Sequence, residues 1–384
     1  MPVALAQTDS DGQARECCSP LLRHQSTPLV ARRECACHRL PGWRGCNAAF
    51  PVSSYLTTMQ KFLNITLSTA LELLRQPVFL IVLTGSLAFI ALLANIYYFG
   101  LGDDPRMMKQ SVLALIFVTG LFSAVLNASA CVSREIRTGT ALAVLSKPVG
   151  RINFLLAKFV GISLSLALQV GVQLLAALVS SRMAFDAYGT PDRAALGIYF
   201  GALLLGFLIA AAGNFFANRP FTSDAVLAVS GLMATAFVVL LFIPHDAGRM
   251  GTDPNDPTSY QGLDWRLVPA AVLIYFALVV LAAIALACAT RLEMVATLVI
   301  CSGVFLIGLM SDYYFGRAAA KGSMVADVFH TMVPNWQVFW MADALAYKKT
   351  IPWSYVVKTA AYVAGHLIVA LSVALALFED RELN

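Results

Sequence analysis

The sequence predicts an all-α membrane protein: about eight transmembrane helices preceded by an amphipathic helix lying in the membrane interface. Three observations predict it. Eight long, nearly uncharged runs fill the chain between Val78 and Phe378. All but one are about 18 to 24 residues and the third is longer, so each has the length an α-helix needs to cross roughly 30 Å of hydrocarbon at 1.5 Å per residue. Apolar residues make up 59% of the 384 and charged residues only 13%, with a mean hydropathy of +0.72, outside the range of soluble domains. Backbone amides find no water in hydrocarbon, so such runs close their own hydrogen bonds as helices.

Residues 1–53 stand apart from this pattern. Five of the eight cysteines fall there (Cys17, Cys18, Cys35, Cys37, Cys46), among many Arg and Pro. Cys35, Cys37 and His38 hint at zinc, but the paired CxxC spacing of a zinc ribbon is missing, so no metal site is assigned. The segment has no apolar core of the secretory kind and reads as a disordered leader. Patterned sequence begins near Met59, which is therefore a candidate start. Residues 54–384 form one membrane domain.

From Tyr55 to Arg75 the leucines recur at helical spacing: Leu56, Met59, Leu63, Leu67, Leu71 and Leu74 on one side, Gln60, Lys61, Asn64, Ser68, Glu72 and Arg75 on the other. The run is too interrupted to span, and suits a helix in the interface. Gln76-Pro77 bends the chain into the first span. The spans are expected at 78–99, 111–131, 153–180, 195–217, 223–243, 267–289, 294–312 and 356–378. Turn chemistry separates several of them, as at Gly102-Asp103-Asp104-Pro105, Ala217-Asn218-Arg219-Pro220 and Thr290-Arg291-Leu292-Glu293. The net charge of +5 is small and spread over the loops, which argues against a nucleic-acid surface.

Between the second and third spans the chain reads S-R-E-I-R-T-G-T-A-L-A-V-L-S-K-P-V-G-R from Ser133 to Arg151. Ser133 is a candidate cap for a short helix, Gly139 a break, and Lys147-Pro148 the end of a second short helix. Two readings follow from residue physics alone. The loop docks another protein, or it is a positively charged loop that fixes topology.

The same run, continued through F-L-L-A-K-F to Phe159, resembles the cytoplasmic loop of type-2, exporter-type ABC transporter permeases. The matching positions are Glu135, Gly139, Thr140, Ser146, Lys147, Pro148, Arg151 and Lys158. Val333 to Leu345 is similar to an external segment before the last span of that family, and Phe378 to Leu383 to its carboxyl-terminal ending. The likeness covers about residues 60–384. Eight spans depart from the commoner six.

The resemblance implies a membrane-spanning permease subunit that moves a substrate with a separate ATPase. Arg134, Glu135, Gly139, Thr140, Ser146, Lys147, Pro148 and Arg151 would then be its ATPase-coupling loop. It implies a cytoplasmic ABC ATPase and a second permease copy or paralogue as partners. It also implies the bacterial inner membrane, with both termini cytoplasmic. No G-x-x-x-x-G-K-[ST] run occurs, so ATP would bind the partner, and no cofactor of this chain's own is expected. An ATPase-independent secondary transporter, or a permease-like scaffold in an envelope or motility complex, are the alternatives.

Two further candidate sites come from the residues. Met324 to Ile351 is amphipathic and aromatic and is split by Pro334-Asn335. It reads as an outer gate built from Pro334, Asn335, Trp336, Trp340 and Asp343, or as an aromatic belt at the membrane surface. Gln169 and Gln173 share one face of the third span. They line a path or bond across helices, and Asn95, Asn127, Asn214 and His366 pose the same choice. No H-E-x-x-H, G-x-S-x-G or other catalytic constellation appears, so no enzyme activity is expected of this chain.

Overall fold

The computed structural model describes residues 52–96, 104–138, 150–183, 192–243, 259–260, 262–346 and 349–382. The leader reading falls on residues that lie almost wholly outside this set. Helix α1 (Val52–Leu74) is the expected interfacial helix. It packs on the bundle through small residues, with Thr66, Thr69, Ala70 and Leu73 buried. The Thr66 hydroxyl donates to the Ala157 carbonyl at 3.3 Å. A Cβ on Gly161 would fall 2.8 Å from Thr69, so only glycine lets the two helices approach this closely. Met59, Leu63, Leu67 and Leu71 remain exposed, a leucine ridge turned away from the protein. That is the disposition an interfacial helix needs to set its apolar side into acyl chains.

The chain turns at Gln76 into α2 (Pro77–Asn95), with proline in its first turn. Helices α3 (Asp104–Thr138) and α4 (Arg151–Met183) have 35 and 33 residues, about 50 Å each, well beyond what the hydrocarbon requires. Helices α5 (Arg193–Ala217) and α6 (Phe221–Phe242) form a hairpin, closed by Asn218 at φ 51°. A two-residue ladder follows, β1 (Ser259–Tyr260) on β2 (Leu263–Asp264). Helix α7 (Leu267–Ala289) is apolar all round and buried along most of its length, so it forms the axis of the bundle. Then come α8 (Met294–Leu309), a π-turn at Asp312–Gly316, α9 (Arg317–Ala320), α10 (Met324–Met332), a 3-10 turn at Trp336–Val338, α11 (Ala342–Ala346) and α12 (Trp353–Glu382).

Seven of these helices, α2 to α7 and α12, are long and apolar enough to cross a membrane. The run expected to span straight through at 294–312 is instead bent: α8 and its continuation from Asp312 to Ala320 meet at 47°, the geometry of a broken span or of a re-entrant loop. Sixteen residues make only about 24 Å, and a π-turn is a recognised cause of kinks.

Six contacts sort the helix ends into two faces. Thr222 donates to the Arg75 carbonyl, and Phe154 at the start of α4 stacks on Phe378 near the end of α12. Arg291 donates to Leu377, and Ala157 receives Thr66. These place α1, the start of α4, the α5–α6 turn, the α7–α8 turn and the end of α12 on one face with the 139–149 connection. The Tyr355 hydroxyl bonds Val338 and the Gln337 amide bonds Leu309, so the other end of α8, the 3-10 turn and the start of α12 share the opposite face.

Candidate functional sites

The connection between α3 and α4 joins the two longest helices of the chain's described residues. Arg134 and Glu135 lie in the last two turns of α3, and Arg151 opens α4. Gly139, Thr140, Ser146, Lys147 and Pro148 lie outside the described residues. Ser133 does not cap a separate helix: α3 runs through it to Thr138, because Arg-Glu-Ile-Arg contains no breaker. Lys158 is buried one turn inside the bundle, with its ammonium 5.5 Å above the Phe154 ring.

Gln169 and Gln173 are fully buried, facing other helices of the same bundle. The Gln173 amide donates to Ser86 of α2 at 2.7 Å and to Thr119 of α3 at 2.9 Å. Lower on the same interface the Asn127 amide meets Ser165 at 3.4 Å. The two rungs are equally spaced on antiparallel helices, so Ser123 falls midway, opposite Gln169. Among the described residues that middle rung does not close: neither the amide nitrogen nor the oxygen of Gln169 has a partner, whereas of Gln173 only the oxygen is unpaired.

The two glutamines should therefore respond oppositely to leucine. Gln173→Leu removes two interhelical bonds and is expected to cost about 1 kcal/mol, since Ser86 and Thr119 keep bonds within their own helices. Gln169→Leu removes an unpaired buried carboxamide and should be neutral or stabilising. Melting both variants in the same detergent checks this, and a larger loss for Gln169→Leu would contradict the ladder. The other polar candidates bond locally: Asn95 to Ala91, Asn214 to Arg219, and His366 to Tyr362.

On the opposite face Pro334-Asn335 ends α10, and the Asn335 side chain receives the Gln337 amide hydrogen. Trp336 is buried against Phe305, with ring centroids 5.7 Å apart, and Trp340 meets Phe117 at 6.2 Å. A Cβ on Gly308 would stand 2.3 Å from the Trp336 indole nitrogen, so the tryptophan is seated directly on the α8 backbone. Asp343 is exposed. The segment thus packs against α3, α8 and α12, with the Asn335 backbone N–H donating to the Tyr362 hydroxyl.

Two ion clusters on this face were not singled out from the sequence. Arg182 and Asp192 pair at 3.0 Å, each side chain 1% exposed. Lys109 and Arg266 both pair with Asp264, whose own N–H donates to Ser181. Burial pushes the Asp264 carboxyl up, but Lys109 and Arg266 outweigh it and hold it below the usual carboxylate range. The stability it contributes is thus complete above about pH 4 and lost as pH falls further, through the depressed folded value. Acid melts should steepen below that point, and Asp264→Asn should flatten the acid limb; an unchanged limb would refute the pairing. Arg182 and Lys109 sit beside spans and Asp264-Trp-Arg266 precedes one; Asp264 and Arg266 are neighbours, but Lys109 lies 155 residues from Asp264 and Arg182 ten from Asp192, so neither of those two pairs has a helical spacing to mark it.

The fold and these sites define a multi-pass α-helical membrane protein. No family model matches the chain, and no curated protein matches it.

Proposed function

We propose that the chain is the membrane-spanning permease subunit of an exporter-type ABC transporter, moving an unidentified substrate with a separate ATPase. The observation that carries this reading is the run from Arg134 to Lys158, which joins the two longest described helices. Motion of a motor seated on the 139–149 connection would be delivered to α3 and α4 as levers, and through them to the helices packed on them. Arg75, Arg134, Arg137, Arg151, Arg219 and Arg291 belong to helix ends on or next to that face; on the opposite face Lys109, Arg182 and Arg266 are each paired with a carboxylate, and Arg106, Arg193, Arg317 and Lys321 lie there as well. Charge alone therefore does not orient the chain, and it is the resemblance of the loop that supports a cytoplasmic location for the connection and both termini, in a bacterial inner membrane. A second permease copy or a paralogue completes the assembly, and ATP binds the motor rather than this chain.

The test is purification of the tagged full chain from its own membrane in mild detergent. A co-purifying protein with a phosphate loop, and ATP hydrolysis in the purified complex, are expected. Recovery of the chain without any nucleotide-hydrolysing partner would contradict the proposal.

A further inference from the structure

Three cysteines lie among the described residues, and two of them, Cys288 and Cys301, meet where α7 turns into α8. Cys288 is the last residue but one of α7, and Cys301 lies about two turns into α8, beyond the Thr290–Glu293 turn. Their thiols share a side-chain hydrogen bond. Cys301 is fully buried, Cys288 is half-buried, and neither is in a disulfide. Among the described residues no three His, Cys, Asp or Glu side chains converge to hold a metal, so the pair stands alone as two thiols.

The packing holds these thiols together and sets how they are reached. Cys301 shares the buried side of α8 with Thr297 and Gly308, whereas Val295, Val299 and Ile300 are exposed. Cys288 belongs to a helix long and apolar enough to cross the membrane, so the way to the pair runs past apolar side chains. The Thr297 hydroxyl, one turn before Cys301 on the same buried side, has no partner among the described residues. A disulfide needs its sulfurs about 2.05 Å apart, and two thiols already in hydrogen-bond contact reach that by side-chain rotation and a small backbone adjustment.

We infer that Cys288 and Cys301 form a reversible redox site, which a membrane-borne hydroperoxide oxidises to a disulfide within the chain. Cys288, the more accessible, reacts first. Its sulfur attacks the terminal peroxide oxygen, an S–O bond forms as the O–O bond breaks, and the alcohol leaves with the thiol proton. The Cys301 sulfur then displaces water from the Cys288 sulfenic acid, which closes the S–S bond. In sum the two thiols give up two electrons and two protons, and the hydroperoxide becomes one alcohol and one water. The bond ties the axis of the bundle to α8 beside their connecting turn, and a thiol reductant releases it. Disulfides of this transient kind are the ones that serve inside cells. The inference stands whether or not an ATPase partners the chain.

The test uses the purified full chain in phosphatidylcholine vesicles, treated with cumene hydroperoxide, alkylated with N-ethylmaleimide and mapped by mass spectrometry. Cys288 and Cys301 should appear linked, lighter than the dithiol by two hydrogens, and dithiothreitol should restore both thiols. Hydrogen peroxide, which favours water over lipid, should form the bond several-fold more slowly at equal concentration. In Cys301→Ser, where no thiol can displace the water, dimedone should trap Cys288 sulfenic acid about tenfold more than in the unaltered chain. The linkage itself is read on the unaltered chain, so a variant that fails to fold does not remove the test. Two intact thiols after treatment, sulfinic acid at Cys288 without linkage, or equal linkage of Cys288 to Cys131 would overturn the site. A rate with hydrogen peroxide equal to or above that with cumene hydroperoxide would overturn the membrane-borne oxidant.

Discussion

Arg182→Ala is expected to destabilise the bundle by about 3–5 kcal/mol, the cost of leaving a buried charge without its partner. The Arg182 guanidinium does three things at the end of α4. Its Nε donates to Asp192, and its Nη1 donates to the carbonyls of Leu240 and Ile243 at 2.7 and 2.8 Å, where α6 ends. Asp192 in turn accepts the N–H groups of Ala194 and Ala195 with its other oxygen, capping α5. One side chain therefore joins the ends of α4 and α6 to the start of α5. Removing it takes the guanidinium from a carboxylate with 1% exposure and from two carbonyls. The loss is a large fraction of the 5–15 kcal/mol that typically separates folded from unfolded states. Arg182→Met with Asp192→Asn keeps the volume and the capping oxygen while removing both charges, and should recover more than half of it. Thermal melts read by size-exclusion chromatography test both arms, and a double variant as weak as Arg182→Ala would contradict the assignment.

The second large effect is functional. Glu135→Ala and Gly139→Leu are expected to reduce substrate flux per ATP hydrolysed by about 5–150-fold, the range of ordinary coupling free energies. Membrane insertion and the thermal midpoint should stay unchanged. Glu135 lies in the part of α3 that continues beyond its membrane-crossing stretch, Arg106–Val132. Gly139 follows in the sequence, where leucine would replace a helix-breaking glycine with a strong helix former. Reconstituted vesicles holding the complex, with flux and phosphate release measured on one sample, decide the matter. Normal flux per ATP in both variants would rule out these two residues as coupling positions.

The spans were legible because hydrocarbon thickness and rise per residue translate directly into run length, and because every backbone amide must be satisfied within its own helix. The bend after Gln76 and the division at Pro334-Asn335 were legible for the same local reason, a proline that cannot continue a ladder. The leucine ridge of α1 was visible too, but not its use. Leucine recurrence says that one side is apolar; only Gly161 on a distant helix explains why Thr66 and Thr69 face the protein and the leucines do not. The break after α8 was missed since Ser311-Asp312 looks like the end of a span rather than a kink in one.

Polar chemistry inside the bundle was half legible. Gln169 and Gln173 stand out against apolar neighbours, and their common face follows from spacing. That one is bonded and the other is not depends on Ser86 and Thr119 arriving from α2 and α3. Arg182–Asp192 and the Asp264 cluster were lost for a related reason. A charge at the edge of a span reads as an anchor in the headgroups, and only tertiary structure shows that it is buried and paired.

The most direct test of the account is the side of the membrane on which Ser146 lies. The full chain, with its native cysteines replaced and Ser146→Cys introduced, is exposed to a membrane-impermeant maleimide in intact cells and again after the membrane is opened. The account predicts no labelling in intact cells and strong labelling once the interior is accessible. Labelling of Ser146→Cys in intact cells would put the connection outside, out of reach of any ATP-driven motor, and would contradict the proposed function at its base.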